Sequence, residues 1–430
     1  MKFLRNNMGP LSLIVVCPPA AILFWYTAVN LNGSFQALFN LFIKKGVIST
    51  IFSIWSPVFF GSKEAWMIIS VFALFQLALM KLLPGKKVFG PVTKTGYSPE
   101  YKENGPLSFF VTLITYITCS VGLNWFSPTI IYDHFGQILG ALCFFSFLFC
   151  FFLYFKGRYY PSTKDHSHTG NFIFDYYWGT ELYPSILGWN IKQFTNCRFG
   201  MMAWPLICIS FAFAQAKYFT LSNSMLVSVG LQLIYVTKFF FWEKGYLRSL
   251  DIMHDRAGFY ICWGCLVWVP SVYTSPALYL VNHSNQLNPY IATTIFALGA
   301  IFILMNYFAD RQRQLFREKN GDILIFGKKP NYTKATYKTE DGVERQSLLL
   351  ASGFWGVARH FHYIPELLGA LFWALPALFV SFYPYFYFCF LCILLFDRAV
   401  RDDERCLKKY NEGWKEHCRK VPYKIIPLIY

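Results

Sequence analysis

Apolar runs long enough to cross a bilayer recur along the chain, at Leu11–Leu31, Ala65–Leu83, Leu107–Leu123, Phe135–Tyr154, Met201–Tyr218, Met225–Phe241, Gly258–Val281 and Tyr290–Ala309. A last block runs from Pro365 to Phe396. Roughly twenty apolar residues in a helix satisfy their own backbone and span a hydrocarbon core about 30 Å thick. The pattern therefore confines the chain to an all-α, polytopic membrane fold. The last block has charged segments at both ends, so it must enter and return. Its length, about 32 residues or some 48 Å of helix, is short for two full crossings. Two short or tilted helices are expected there, breaking near Ser381–Pro384. About ten transmembrane helices result. Between the first two runs, the stretch holding Lys44, Lys45 and Pro57 is apolar but broken, and reads as a re-entrant or interfacial piece.

With 55% hydrophobic, 20% aromatic and 14% charged residues, a soluble globular domain is excluded. The net charge of +16 could suggest nucleic acid, but the basic residues sit in short loops between apolar runs. The positive-inside bias accounts for them, and no nucleic-acid partner is expected. This bias puts Lys156–Gly200, Trp242–Arg256, Asp310–Arg345 and the tail Asp397–Tyr430 on the cytoplasmic side. The turns Trp125–Thr129 and His283–Asn288 carry no Lys or Arg and go to the other side. The first run follows Lys2 and Arg5 and is long enough to be a retained helix instead of a cleaved leader. Gly327-Lys-Lys-Pro330 and Asp341-Gly342 are turn signals. If the helix of Tyr290–Ala309 simply continues, Arg311, Arg313 and Arg317 share an arc of about 160°.

One stretch is too polar and too mixed for lipid: Ser352-Gly-Phe-Trp-Gly-Val-Ala-Arg-His-Phe-His-Tyr363. Aromatic faces, a guanidinium and glycines together suit a flat, charged ligand at the membrane edge. An interfacial anchor is the plainer alternative. The tail Asp397-Arg-Ala-Val-Arg-Asp-Asp-Glu-Arg-Cys406 ends in apolar and aromatic residues that should dock. Docked on the membrane face, it would set Arg398, Asp402, Lys409 and Tyr410 beside Trp355 and Arg359. Arginines would hold phosphates, the carboxylate sugar hydroxyls, and the aromatics a base. No GxGxxG follows a strand pattern, so a Rossmann domain is not supported.

A second cluster is Asp251-Ile-Met-His-Asp-Arg256, leading into an aromatic-rich run. Asp251, His254, Asp255 and Tyr273 are its acid/base candidates, since ionisable groups near the membrane interior are costly. Trp178, Glu181, Tyr183, Asn196 and Arg198 form a weaker loop cluster. Two CxxC pairs, Cys262/Cys265 and Cys389/Cys392, have no further Cys or His pair placed to complete a zinc site. They read as buried small apolar residues, and no metal is expected.

Leu349-Leu-Ala-Ser-Gly-Phe-Trp-Gly-Val-Ala-Arg-His-Phe-His-Tyr363, Asp397–Cys406, Lys409-Tyr410 and Val421-Pro-Tyr-Lys-Ile-Ile-Pro427 together resemble the sterol reductase family. Trp125-Phe-Ser-Pro-Thr-Ile-Ile131, Thr169-Gly-Asn-Phe172, Asp251-Ile-Met-His-Asp255, Trp268-Val-Pro270 and Gly327–Pro330 resemble the members that reduce the C7–C8 bond of delta-5,7 sterols. The likeness spans nearly the whole chain. Trp263-Gly-Cys-Leu-Val-Trp268 is similar to plant-type members, with Cys265 where animal members carry a Gly-Asp pair. The resemblance implies a ten-helix enzyme using NADPH at a cytoplasmic cofactor pocket of Arg313, Arg317, Trp355, Arg359, Arg398, Asp402, Lys409 and Tyr410. Arg313 stands where a lysine is usual. It implies a sterol entering from the bilayer lipids and meeting Asp251, Asp255, Trp268 and Tyr273. The expected division is one domain, 1–430, with helices 1–241 followed by a catalytic half, 242–430. The membrane would be the endoplasmic reticulum in a eukaryote or the inner membrane in a bacterium. The resemblance also leaves room for contacts with other sterol-pathway enzymes.

A diene carbon accepts hydride poorly, so protonation comes first or together with it. The proton donor should be a tyrosine or a carboxylic acid kept neutral by burial. Tyr273 and Asp402 lead as candidates, with His254 behind. The competing readings are delta-14 or delta-24(28) reduction and a non-catalytic sterol-binding scaffold like the lamin B receptor. About ten residues precede the first helix, so a basic amino-terminal region like that receptor's is not expected. A transporter would need polar midplane residues and matching broken helices, which are not clear here.

Overall fold

The computed structural model describes residues 7–93, 95–338 and 344–430. Among these, Gly9–Asn30, Lys63–Leu82, Gly105–Gly122, Phe135–Tyr159, Gln193–Tyr218, Asn223–Phe241, Pro289–Glu318, Tyr363–Val380 and Tyr383–Tyr410 are helices long and apolar enough to cross a membrane. Two bent pairs, Phe35–Lys45 with Val47–Val58 (113°) and Phe259–Tyr273 with Ser275–Val281 (41°), bring the total to as many as 11. The expected ten lies inside that range, and the chain is an integral, multi-pass membrane protein.

Local chemistry sets the ends of these helices. Ser34, Ser62 and Ser222 each cap a helix by accepting a hydrogen bond from the backbone N–H three residues on, at 3.1–3.2 Å. After Lys45 the chain turns sharply at Gly46, whose φ of +79° ends one helix and begins the next. The broken piece expected between the first two runs is this bent pair. The last apolar block breaks over Leu375–Tyr385, with Leu378 at φ +53°, around the expected Ser381–Pro384.

The chain forms two compact units. The first comprises Met1–Ala292 and Pro376–Pro384. Its π-helical stretches include Gln193–Gly200 and Gly264–Tyr273, besides the shorter Thr118–Gly122. The two longer ones touch directly, because a Cβ on Gly200 would lie 2.6 Å from the Cys265 carbonyl oxygen. Wide π turns free carbonyls, and Pro270 supplies no N–H. Side chains take up the slack: Ser271 Oγ donates to the Val267 carbonyl at 2.8 Å, and Thr274 Oγ1 to the Pro270 carbonyl at 2.6 Å. The loop Ser381–Pro384 packs in this unit, with Tyr383 stacked 4.2 Å from Phe24 and Ser381 bonded to the Gly33 carbonyl at 3.0 Å.

The second unit comprises Thr293–Leu375 and Tyr385–Tyr430. The helix Pro289–Glu318 continues unbroken through Arg311, Arg313 and Arg317, as the arc argument assumed. The tail is not a separate segment. Phe386–Tyr410 is one helix running through Asp397–Cys406, followed by Glu412–Lys420. No helix breaker interrupts it, and Arg401 pairs with Asp397 at 2.8 Å one turn back.

The all-α architecture carries a few short strands among the described residues. Three short antiparallel hairpins occur: Lys86–Phe89 with Glu100–Glu103, Ser185–Ile186 with Trp189–Asn190, and Tyr332–Lys338 with Glu344–Leu350. The third lies in the stretch read as charged loop. Its first strand buries Thr333 and Ala335 and exposes Lys334 and Thr336, a period-two pattern visible in Thr-Lys-Ala-Thr. The turn expected at Gly327–Pro330 forms two residues early. Ile325 and Lys328 exchange backbone bonds at 2.9 and 3.1 Å around Phe326 (φ +49°) and Gly327 (φ +78°). The turn expected at Asp341-Gly342 lies outside the described residues.

Candidate functional site

In the second unit, the guanidinium of Arg313 lies 3.8 Å over the ring of Trp355. Trp355 is held from below by its own indole N–H, which donates to the Ala309 carbonyl at 2.8 Å, and by packing on Phe316, Ile325 and Leu350. Asp310 steadies Arg313 from one turn back, at 3.5 Å. Arg313 and Trp355, both among the residues the resemblance implies for a cofactor pocket, thus form a stacked pair. Arg317 is exposed on the same helix and within electrostatic reach of Asp402, Cys406 and Tyr410.

Arg359 is placed differently from the expectation of a phosphate-facing arginine. Its Nη1 donates to the carbonyls of Val421 and Pro422 at 2.7 and 2.8 Å, and its Nε lies 3.6 Å from Asp403. The backbone joins in: Arg359 N–H bonds to the Tyr423 carbonyl and His360 N–H to that of Lys424, both at 2.9 Å. Lys424 in turn sits 3.4 Å from Asp403. Arg359 therefore fastens the tail against the Ser352–Tyr363 stretch. Asp402 accepts from Arg405 at 2.6 Å and faces His360 Nε2 at 3.9 Å. Arg398 is half-buried one turn earlier on that helix. Lys409 lies over the rings of Tyr337 (4.1 Å) and Tyr410 (5.0 Å), against the third hairpin.

Two buried histidines, missed as site residues, complete this cluster. Burial pushes the His360 imidazole down to about 4; the Arg313 and Arg359 charges add to that and Asp402 opposes it. Burial likewise holds His417 down to about 4, with Arg359 and Lys420 adding to it. Free imidazoles titrate near 6.5, so between about pH 6.5 and pH 4 the unfolded chain binds protons that the folded one refuses. Stability is complete above this window and falls as the pH is lowered through it, by up to about 3 kcal/mol per histidine. A thermal melt at pH 7 and pH 4.5 measures the drop, and a His360→Asn, His417→Gln variant should show a shallower one. His360 was hidden from sequence reasoning because nothing in its local pattern marks it as neutral.

In the first unit, Asp251 is half-buried, Asp255 buried and His254 exposed, all in the segment before the span. A residue the sequence reading treated only as loop charge organises them. Lys192 is buried and donates from Nζ to the carbonyls of Ile252 (2.6 Å) and Asp255 (2.5 Å). Burial lowers its ammonium to about 7, while Asp255 and Asp251 resist that shift. Trp268 and Tyr273 are half-buried on the π-helical stretch. The Tyr273 ring meets Trp204 edge-on at 5.2 Å, and Trp204 is fixed by its N–H to Gln232 at 2.8 Å. Of the weaker cluster, Trp178 stacks on Tyr260, Glu181 pairs with Lys156 at 2.8 Å, and Tyr183 lies beneath Lys192. Asn196 donates to the Tyr246 hydroxyl at 3.0 Å. Arg198 enters a fully buried ion pair with Glu243. These contacts hold the fold together.

The family model described as the ergosterol biosynthesis ERG4/ERG24 family matches residues 8–430. The chain is 52% identical over 425 residues to a 7-dehydrocholesterol reductase of Arabidopsis thaliana, covering 98% of this chain and 96% of that one. It is 37% identical over 374 residues to the 7-dehydrocholesterol reductase of Xenopus laevis (85% and 79% covered). It is 35% identical over 421 residues to a Delta(14)-sterol reductase of Methylotuvimicrobium alcaliphilum (98% and 94% covered). Two reductase specificities thus share this one framework of helices, and the chain belongs to the ERG4/ERG24 family of ergosterol biosynthesis.

Proposed function

We propose that this chain is an NADPH-dependent reductase of the C7–C8 double bond of delta-5,7 sterols. The observation that carries the reading is the 52% identity, over 98% of the chain, to the Arabidopsis 7-dehydrocholesterol reductase. The residues of the second unit fit a phosphorylated dinucleotide. Arg313 and Trp355 offer a stacked cation and ring, Arg317 and Lys409 exposed cations, and Asp402 an acceptor beside buried His360. Arg398 and Tyr410 lie on the same helix as Asp402. NADPH, when bound, supplies hydride. Arg359 acts here by holding the tail in place.

A proton placed at C8 leaves an allylic cation spread over C7 and C5, and C7 is the end that is reduced. Asp402 is already engaged on its own helix, accepting a hydrogen bond from Arg405 at 2.6 Å. His254 is exposed in the loop. We therefore assign proton delivery to Tyr273, and sterol contact to Trp268 and Tyr273, with Asp251 and Asp255 at the polar end. Sterol profiling by gas chromatography–mass spectrometry of yeast expressing the chain tests the reading. Ergosta-5,7-dienols should lose the C7 double bond, and an Arg398→Ala strain should keep it. A profile changed only at C14 or C24 would overturn the assignment.

A further inference from the structure

The turn between Ile323 and Lys329 presents large apolar side chains outward from a rigid base. Leu324 is 67% and Phe326 71% exposed. Between them Ile325 is buried, packed with Phe316, Leu350 and Trp355. The turn is closed by the paired backbone bonds of Ile325 and Lys328, with Phe326 in the left-handed region. A bulky residue held at positive φ to point into water is an unfavourable arrangement unless something covers it. Lys319, Lys328 and Lys329 are exposed around the turn, with Glu318 and Asp322 the nearby exposed carboxylates.

What covers it is indicated by the rings that follow. Phe326 meets Phe354 edge-on at 5.5 Å, and Phe354 stacks on Phe361 at 5.2 Å. Phe361 stands two residues before Tyr363, where the next membrane-spanning helix begins. An aromatic strip thus leads from the tip of the turn to the mouth of a span. Aromatic and aliphatic prongs beside lysines are the composition that enters the headgroup region of an anionic leaflet.

We infer that the turn Ile323–Lys329 is a lipid-binding anchor: Leu324 and Phe326 enter the interface of the membrane the chain spans, and Lys328 and Lys329 hold anionic phospholipid headgroups. The base of the anchor is the apolar cluster that also seats Trp355, so lipid and the Arg313–Trp355 platform share one support.

Photocrosslinking tests this without relying on catalysis. The photoreactive residue p-benzoylphenylalanine is placed at Phe326, at Phe308 on the membrane-spanning helix Pro289–Glu318, or at exposed Lys415 on a polar helix. Each protein is reconstituted in nanodiscs of mixed phosphatidylcholine and phosphatidylserine, and lipid adducts are read by mass spectrometry. Position 326 should label as position 308 does, while position 415 stays unlabelled. Labelling at 326 no greater than at 415 overturns the anchor. In a Lys328→Gln, Lys329→Gln background the phosphatidylserine share of the adducts should fall, each lysine being worth about a fivefold preference. An unchanged share overturns the headgroup role.

Discussion

Tyr273→Phe is expected to leave the protein folded and to lower sterol reduction by about 10²-fold or more, the size of effect that losing a general acid produces. The phenyl ring keeps the edge-on contact with Trp204, which Gln232 fixes in place, so the thermal midpoint should not move. The hydroxyl alone is removed, and with it the proton proposed for C8. The residues proposed to hold NADPH lie in the second unit and are untouched by the change, so the KM for NADPH should stay near the wild-type value. Turnover falls instead, the pattern of an interaction made only in the transition state. Product formed in deuterated solvent should carry the label at C8. A variant with near-normal turnover, or label found at C7, would move the donor elsewhere. The half-buried Asp251 would be the next group to replace.

The helices were legible because their chemistry is local. Twenty apolar residues with charged ends need no partner to declare themselves, and the run Leu11–Leu31 became Gly9–Asn30. The continuation through Arg313 and Arg317 was legible for the same reason, since no Gly or Pro interrupts Ala300–Glu318. The π-helical stretch around Pro270 was not. Its form depends on packing against Gly200, which no window of sequence contains. Arg359 shows the limit for sites. Its residue type suits a phosphate as well as it suits the Val421 and Pro422 carbonyls, and only the fold reveals that the carbonyls are there. Lys192 is the converse case. It read as one loop cation among several, yet it is buried and ties down the backbone at Ile252 and Asp255. The hairpin Tyr332–Leu350 was readable from its alternation but was overridden by its charge.

Glu243→Ala is expected to cost about 3–5 kcal/mol, the penalty for leaving one member of a buried ion pair without the other. Both side chains are fully buried. Arg198 Nη1 and Nη2 grip the two carboxylate oxygens, the second at 3.1 Å, and Nη2 also donates to Asn104 Oδ1 at 2.9 Å. Glu243 Oε2 accepts the N–H of Gly105 at 3.0 Å, and Asn104 donates to the carbonyls of Leu79 and Leu83 at 3.2 and 3.3 Å. One carboxylate thus joins the ends of Lys63–Leu82, Gly105–Gly122, Gln193–Tyr218 and Asn223–Phe241. Gly105 has no Cβ because that atom would occupy the place of Glu243 Oε2. Removing the carboxylate strands the guanidinium and the Gly105 N–H together. The measurements are the thermal midpoint and monodisperse yield of the detergent-solubilised protein. An Arg198→Met, Glu243→Leu double variant should recover much of the loss, since no charge is then stranded. It should remain below the wild type by roughly 1–3 kcal/mol for the Gly105 N–H left without its acceptor. A single variant that melts within about 1 kcal/mol of the wild type, the scale of an exposed pair, would mean that water reaches Arg198 and that the four helix ends are held by packing alone.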